Sequence, residues 1–203
     1  TDAPIVLEFE HINQTSSPLG PLYQSSEIRF KMYRGVTVDG NWAFVAADWG
    51  GLRVCDVSNP TAPSYVGYEP TPGTAWDVAV SGDYAYVADK DGGLRIIDVS
   101  DPLALAEESV CAAPDSARSV AVSWPNVYVA DYSDGLTVCN VSDPAAPFVK
   151  GTYDTPGLAW GVDVADGYVY VGDWAGMVVF HECAMFCDGF ESGDTSAWTR
   201  TLP

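Results

Sequence analysis

Basic residues are scarce in this chain. Lys and Arg together number 9 against 28 Asp and Glu, giving a formal net charge of −19 over 203 residues. A surface of that sign repels phosphate, which argues against nucleic acid and against an anionic membrane surface as partners. Histidine is scarcer still, with only His11 and His181. No H-E-x-x-H, G-x-S-x-G or phosphate-loop motif occurs, so the common signatures of metalloprotease, serine hydrolase and nucleotide chemistry are missing. His181 precedes Glu182, but neighbours on a strand face opposite ways, so the two do not make a base and its orienting acid. No apolar run approaches the roughly 18 residues a membrane-spanning helix needs. Long helical patterns are absent too. The 19 Gly and 14 Pro are spread along the chain, as suits many short strands joined by turns.

Cysteine is sparse and unevenly placed, at 55, 111, 139, 183 and 187. Cys183 and Cys187 lie close together in "CAMFC" and are the candidates for a disulfide across a tight bend. Cys55, Cys111 and Cys139 sit in strand-like runs and read as small buried hydrophobes. A zinc-type site lacks a second Cys pair, and no His other than His181 stands near. The chain starts Thr1-Asp2-Ala3-Pro4, without Met or a targeting segment. With low Lys and high Asp, Gly and Trp, that is expected of a secreted or cell-surface protein whose signal peptide has been removed.

What is present is a repeat. "RGVTVDGNWAFVAADWGGLRVCDVSNPTAP" (34–63) aligns with "WDVAVSGDYAYVADKDGGLRIIDVSDPLAL" (76–105), then with "RSVAVSWPNVYVADYSDGLTVCNVSDPAAP" (118–147) and "WGVDVADGYVYVGDWAGMVVFHEC" (160–183). The units start at Arg34, Trp76, Arg118 and Trp160, a constant step of 42 residues, and the fourth breaks off early. Each reads as four short strands, here called A to D, rich in Val, Ile and Tyr and punctuated by Gly, Asp, Asn and Pro. A unit of this size is a β-propeller blade, which packs against its neighbours because it cannot bury both faces alone. The expected fold is therefore all-β, a β-propeller of four blades of four antiparallel strands, with blades at 34–75, 76–117, 118–159 and 160–182. An arm (1–33) precedes them and a tail (183–203) follows.

"GLRIIDVSDP" together with "VAVSGDYAYVAD" resembles the LVIVD-repeat proteins, β-propellers of bacterial and archaeal surfaces. The resemblance covers roughly residues 34–182. It implies the propeller fold and an extracytoplasmic setting, and it brings no defined catalytic residues. The segment "CDGFESGDTSAWT" (187–199) resembles a C-terminal tail of secreted bacterial proteins.

The fourth unit supplies only strands A to C, so a strand from the N-terminal arm is expected to close the ring. Two segments alternate with period 2: "PIVLEFE" (4–10), with Ile5, Leu7 and Phe9, and "EIRFKM" (27–32). One closes the ring and the other is surplus. The surplus strand either pairs on its own molecule or adds to the edge of another copy, which makes a homo-oligomer or filament.

The first residue of each unit alternates between Arg and Trp: Arg34, Trp76, Arg118, Trp160. In a propeller these positions share a face with the B–C turns, which carry Asp48-Trp49, Asp89-Lys90, Asp131-Tyr132 and Asp173-Trp174. The expected interaction face is thus Arg34, Trp49, Trp76, Lys90, Arg118, Tyr132, Trp160 and Trp174. Aromatics beside carboxylates suit either a sugar ring or a protein partner, unless the Trp side chains simply plug the channel. Asp89 and Asp91 are a weak Ca²⁺ candidate, with Lys90 between them and no shell of six oxygens in view; no other cofactor is indicated. Paired carboxylates leave glycoside hydrolysis as a minor reading, though turns alone supply Asp. The leading expectation is a non-catalytic extracellular structural or interaction protein that self-associates through its terminal segments, with a glycan-binding propeller as the alternative.

Overall fold

The computed structural model describes residues 33–112 and 116–182. Residues Ile5, Leu7 and Phe9, both arm segments, Cys183, Cys187 and the C-terminal tail lie outside the described residues.

The described chain is all-β, in four antiparallel sheets of four, four, four and three strands. Sheet 1 holds Val36–Asp39 (β1), Trp42–Ala46 (β2), Leu52–Asp56 (β3) and Ser64–Glu69 (β4). Sheet 2 holds Asp77–Ser81 (β5), Tyr84–Ala88 (β6), Leu94–Asp98 (β7) and Ala106–Cys111 (β8). Sheet 3 holds Ser119–Ser123 (β9), Asn126–Ala130 (β10), Leu136–Asn140 (β11) and Phe148–Tyr153 (β12). Sheet 4 holds Ala159–Ala165 (β13), Tyr168–Asp173 (β14) and Gly176–His181 (β15). Within each sheet the strands lie in chain order, as expected of propeller-like repeats. The third and fourth strands of sheets 1 to 3 slip register after Val54, Ile96 and Val138, bulges that repeat with the 42-residue step.

Alternation along each strand explains why the sheets stack. On β6, Tyr86 joins a cluster with Val120, Val129 and Cys139 of sheet 3. Its neighbour Val87 points the other way, into a cluster with Phe44, Leu52 and Val54 of sheet 1. Sheet 3 does the same, passing Tyr128, Leu136 and Val138 to Val169, Val171 and Phe180 of sheet 4. The second strands of sheets 1 to 3 therefore bury both faces, while β4, β8 and β12 at the outside are mostly half-buried or exposed. Each large side chain so buried contributes about 1.5–3 kcal/mol.

One expectation fails. Cys111 and Cys139 are not free hydrophobes; they form a disulfide with Cα atoms 6.7 Å apart, joining β8 of sheet 2 to β11 of sheet 3. Their 28-residue separation gives no sign of this, because blade stacking alone brings the two strands together. Cys55 does match the expectation. It is free and buried, and burial pushes its thiol up to about 11, so little thiolate exists at neutral pH. Replacing both Cys111 and Cys139 by Ala should lower stability by about 3.5 kcal/mol, the loop-closure value for a crosslink of this span. Urea unfolding reads this, and reducing agent should shift the wild-type midpoint but not that of the double variant.

Candidate interaction face

The B–C turns are built alike. Asp48, Lys90 and Tyr132 each adopt positive φ, between 47° and 53°, and each makes an isolated bridge to the residue that leads into the next sheet, Ala75, Ala117 or Ala159. These three Ala are wholly buried, where a larger side chain would not fit. The bridges keep the 42-residue register of the turns: Asp48 is the counterpart of Lys90 and Tyr132, and Trp49 stands one residue further along. Trp49 lies at the turn tip, 82% exposed.

The residue before this bridge position is Asp in three blades, and its carboxylate grips backbone. Asp89 accepts hydrogen bonds from the Gly73 amide at 2.8 Å and from the Thr71 hydroxyl. Asp131 accepts from the Ser116 amide at 2.8 Å and Asp173 from the Gly157 amide at 2.8 Å. All three amides belong to the crossing that leads into the same blade, so the carboxylate pins that crossing under the turn. Gly73 is required there, since a Cβ would collide with the Asp89 carbonyl oxygen. In blade 1 the matching residue is Ala47. Asp91 points elsewhere and pairs with Lys90 at 3.1 Å. The two carboxylates of the cation candidate thus have separate partners.

The alternating Arg and Trp residues converge. Arg34 is clamped by the Asp48 carboxylate through Nε (3.1 Å) and Nη2 (2.9 Å), with its guanidinium 3.8 Å from the Trp76 ring centroid. Arg118 lies 4.1 Å from the Trp76 centroid, 4.8 Å from Tyr132 and 4.9 Å from Trp160. Trp76 and Trp160 meet at 5.8 Å, Tyr132 sets its edge against Trp160 at 5.7 Å, and Trp174 stacks on Trp160 at 6.1 Å with planes 8° apart. Contacts of this kind contribute about 0.5–1.5 kcal/mol each beyond area burial. Six of the eight expected face residues therefore form one cluster. Trp49 and Lys90 take no part in these ring contacts. Trp174 is 73% exposed, so the cluster opens to solvent on that side. Inside it, Trp76 Nε1, Arg118 Nε and Asp48 Oδ1 are buried without a protein partner among the described residues.

Behind the cluster runs a polar link that sequence reasoning missed. Asp77 Oδ2 accepts from the Ser119 hydroxyl (2.8 Å) and the Val120 amide (3.1 Å), and Ser119 Oγ accepts from the Val162 amide (3.4 Å). These bonds tie the inner strands of sheets 2, 3 and 4 together. Their signal was available: Gly35, Asp77, Ser119 and Gly161 share one repeat position directly after the Arg/Trp residue. Gly35 leaves room for the Asp77 carboxylate, which an added Cβ would strike.

The LVIVD repeat, as a sequence pattern, matches residues 32–69, 72–112, 114–155 and 156–180, most of the chain. The chain belongs to the LVIVD-repeat family. Solved structures similar to this LVIVD-repeat protein include two computational designs. Ika4 is 12% identical, with 75% of this chain and 93% of that chain covered at a TM-score of 0.63. Ika8 is 12% identical, with 79% and 49% covered at 0.63. A functionally unknown protein from Desulfotomaculum acetoxidans DSM 771 is 13% identical, with 83% and 57% covered at 0.67. Identities this low speak for the fold alone, and the chain spans about half the length of the last two. No curated protein matches the chain in sequence.

The only described histidine of this LVIVD-repeat protein, His181, sets its ring edge-on to Tyr168 at 4.7 Å, while Glu182 accepts a hydrogen bond from the Tyr128 hydroxyl at 2.8 Å. The adjacent pair is split between two partners, with Glu182 just beyond the end of β15.

Asp89 carries a pH signature. Burial pushes its carboxyl above the ordinary 3.8, against the opposing pull of the Thr71 hydroxyl, the Gly73 amide and Arg95. From 3.8 up to that raised value, the native state keeps a proton the unfolded chain has released. This group therefore favours folding at the acid end of the window, and the contribution is lost as pH rises. The unfolding free energy of wild type relative to Asp89→Asn should accordingly fall as pH rises through the window. Urea titrations at stepped pH measure it, and a difference that is flat or rising overturns the assignment.

Proposed function

We propose that this chain is a non-catalytic structural or interaction protein of the extracellular or cell-surface space, and that it self-associates through its terminal segments. The observation that carries this reading is the fourth sheet. Among the described residues it has three strands where the others have four, and β15 pairs with β14 on one side only. A strand edge of this kind recruits a further strand through backbone hydrogen bonds, and the N-terminal arm is the natural donor. A net charge of −19 opposes indiscriminate aggregation, so association rests on a directed contact. The Cys111–Cys139 disulfide accords with an oxidising compartment. No cofactor enters this reading. Removing residues 1–33 should turn an oligomer into a monomer by light scattering and abolish any filament seen by electron microscopy. A full-length chain that is monomeric at micromolar concentration overturns it.

A second reading is carbohydrate binding, favoured by the exposed Trp160–Trp174 stack. Flat aromatic faces pack against sugar C–H groups, and the unpartnered Trp76 Nε1, Arg118 Nε and Asp48 Oδ1 offer polar contacts nearby. A glycan array with the full-length protein should then give a signal that Trp76→Ala or Trp160→Ala weakens by about tenfold, the worth of one aromatic contact. No signal from the full-length protein removes this reading.

A further inference from the structure

The two ends of the sheet array are complementary and uncovered. Val78 and Val120, which face the preceding sheet, are 3% and 6% exposed, whereas Val36 and Val38 of β1 are each 64% exposed. At the other end, Leu52, Leu94 and Leu136 are wholly buried against the following sheet, yet their counterpart Met177 on β15 is 59% exposed. Gly172 is likewise exposed where Ala46, Ala88 and Ala130 are wholly buried. The inner strands pack as β1 on β5, β5 on β9 and β9 on β13, and no comparable packing joins β13 to β1 among the described residues. The front of sheet 1 and the back of sheet 4 thus present the two halves of a blade interface that occurs three times within the chain.

The repeat register names what belongs at the open edge. Pro21, Tyr23 and Glu27 stand 42 residues before Pro63, Tyr65 and Glu69, which flank and form β4. Residues 22–27 therefore carry the pattern of an outer strand, and 28–33 occupy the place of the crossing Pro70–Ala75. Every outer strand of the repeat pairs with the blade before the one it leads into. By that rule 22–27 belongs on a three-stranded blade lying directly in front of blade 1. On this register the closing strand is proposed at 22–27, in place of the expected 4–10 or 27–32. Equivalence with β3–β4 pairing would set Ser26 opposite Val178 and Tyr23 opposite Phe180.

We infer that the blade in front of blade 1 is blade 4 of a second copy, and that two copies close a ring by exchanging residues 22–27. The contact is head-to-tail, blade 4 onto blade 1, and two of them related by a two-fold axis leave no free end. Self-closure within one chain would instead bring β13 against β1 and cover Val36, Val38 and Met177. The same four sheets superpose on 49% of Ika8 with the TM-score found for the shorter Ika4, so an array of this curvature accommodates continuation beyond its ends. The inference rests on the self-association proposed above and specifies its partner, its segment and its closure.

The test is a pair of single variants, Ser26→Cys and Val178→Cys, co-expressed in the full chain, with light scattering of the wild type alongside. The expected mass of the wild type is twice the 21.7 kDa of one chain. A reducible covalent dimer should form from the co-expressed pair and from neither variant alone. A monomeric wild type, with a crosslink only inside the Ser26→Cys/Val178→Cys double variant, overturns exchange and shows closure within one chain. Large polydisperse assemblies overturn the closed pair and leave self-association standing. A monomer with no crosslink in any variant removes both.

Discussion

Face-to-face packing of successive sheets is the constraint on which the rest depends. A blade with apolar residues on both faces is insoluble alone and stable only between neighbours. Tyr86 and Val87 show the arrangement at its smallest: adjacent residues, wholly buried, serving two different interfaces. From this follow the buried second strands, the exposed outer strands and the apolar ends of the array. The disulfide follows as well, because stacking is what brings β8 to β11.

The polar features then solve a problem that packing creates. Each crossing must pass from the outer edge of one sheet to the inner strand of the next, and its backbone amides need acceptors in a place water barely reaches. Asp89, Asp131 and Asp173 supply them. Carboxylates accept strongly from amides, which offsets part of the cost of burying their charge. The acidity of these turns is therefore structural in origin. Beside them, Arg34 pairs with Asp48, Lys90 pairs with Asp91, and Arg118 is seated among aromatic rings.

Much of this was legible in the sequence, and the reason is repetition. A constant step of 42 residues exposes strand boundaries, turns and blade order through mutual comparison, so the sheets fall where the pattern puts them. The alternation of Arg34, Trp76, Arg118 and Trp160 likewise announced a shared position, and their side chains do meet. What repetition hides is contact between unlike positions. Cys111 and Cys139 occupy different strands of different blades, and no periodicity pairs them. Trp49 stands one residue beyond the position of Lys90 and Tyr132, as the 42-residue step implies, but the step does not show that Asp48 holds a bridge there. Asp77 was passed over because a carboxylate on an inner strand breaks the apolar rule, and its function depends on a glycine and a serine in neighbouring blades.

The left-handed bridge position has a wider consequence. Its backbone is identical in three turns, held by the pairing to Ala75, Ala117 and Ala159, yet the residues there are an acid, a base and a phenol. The backbone conformation is thus imposed from outside, and it tolerates three different chemistries at this position. Such a protein can change the chemistry its rim presents one letter at a time, without renegotiating its fold.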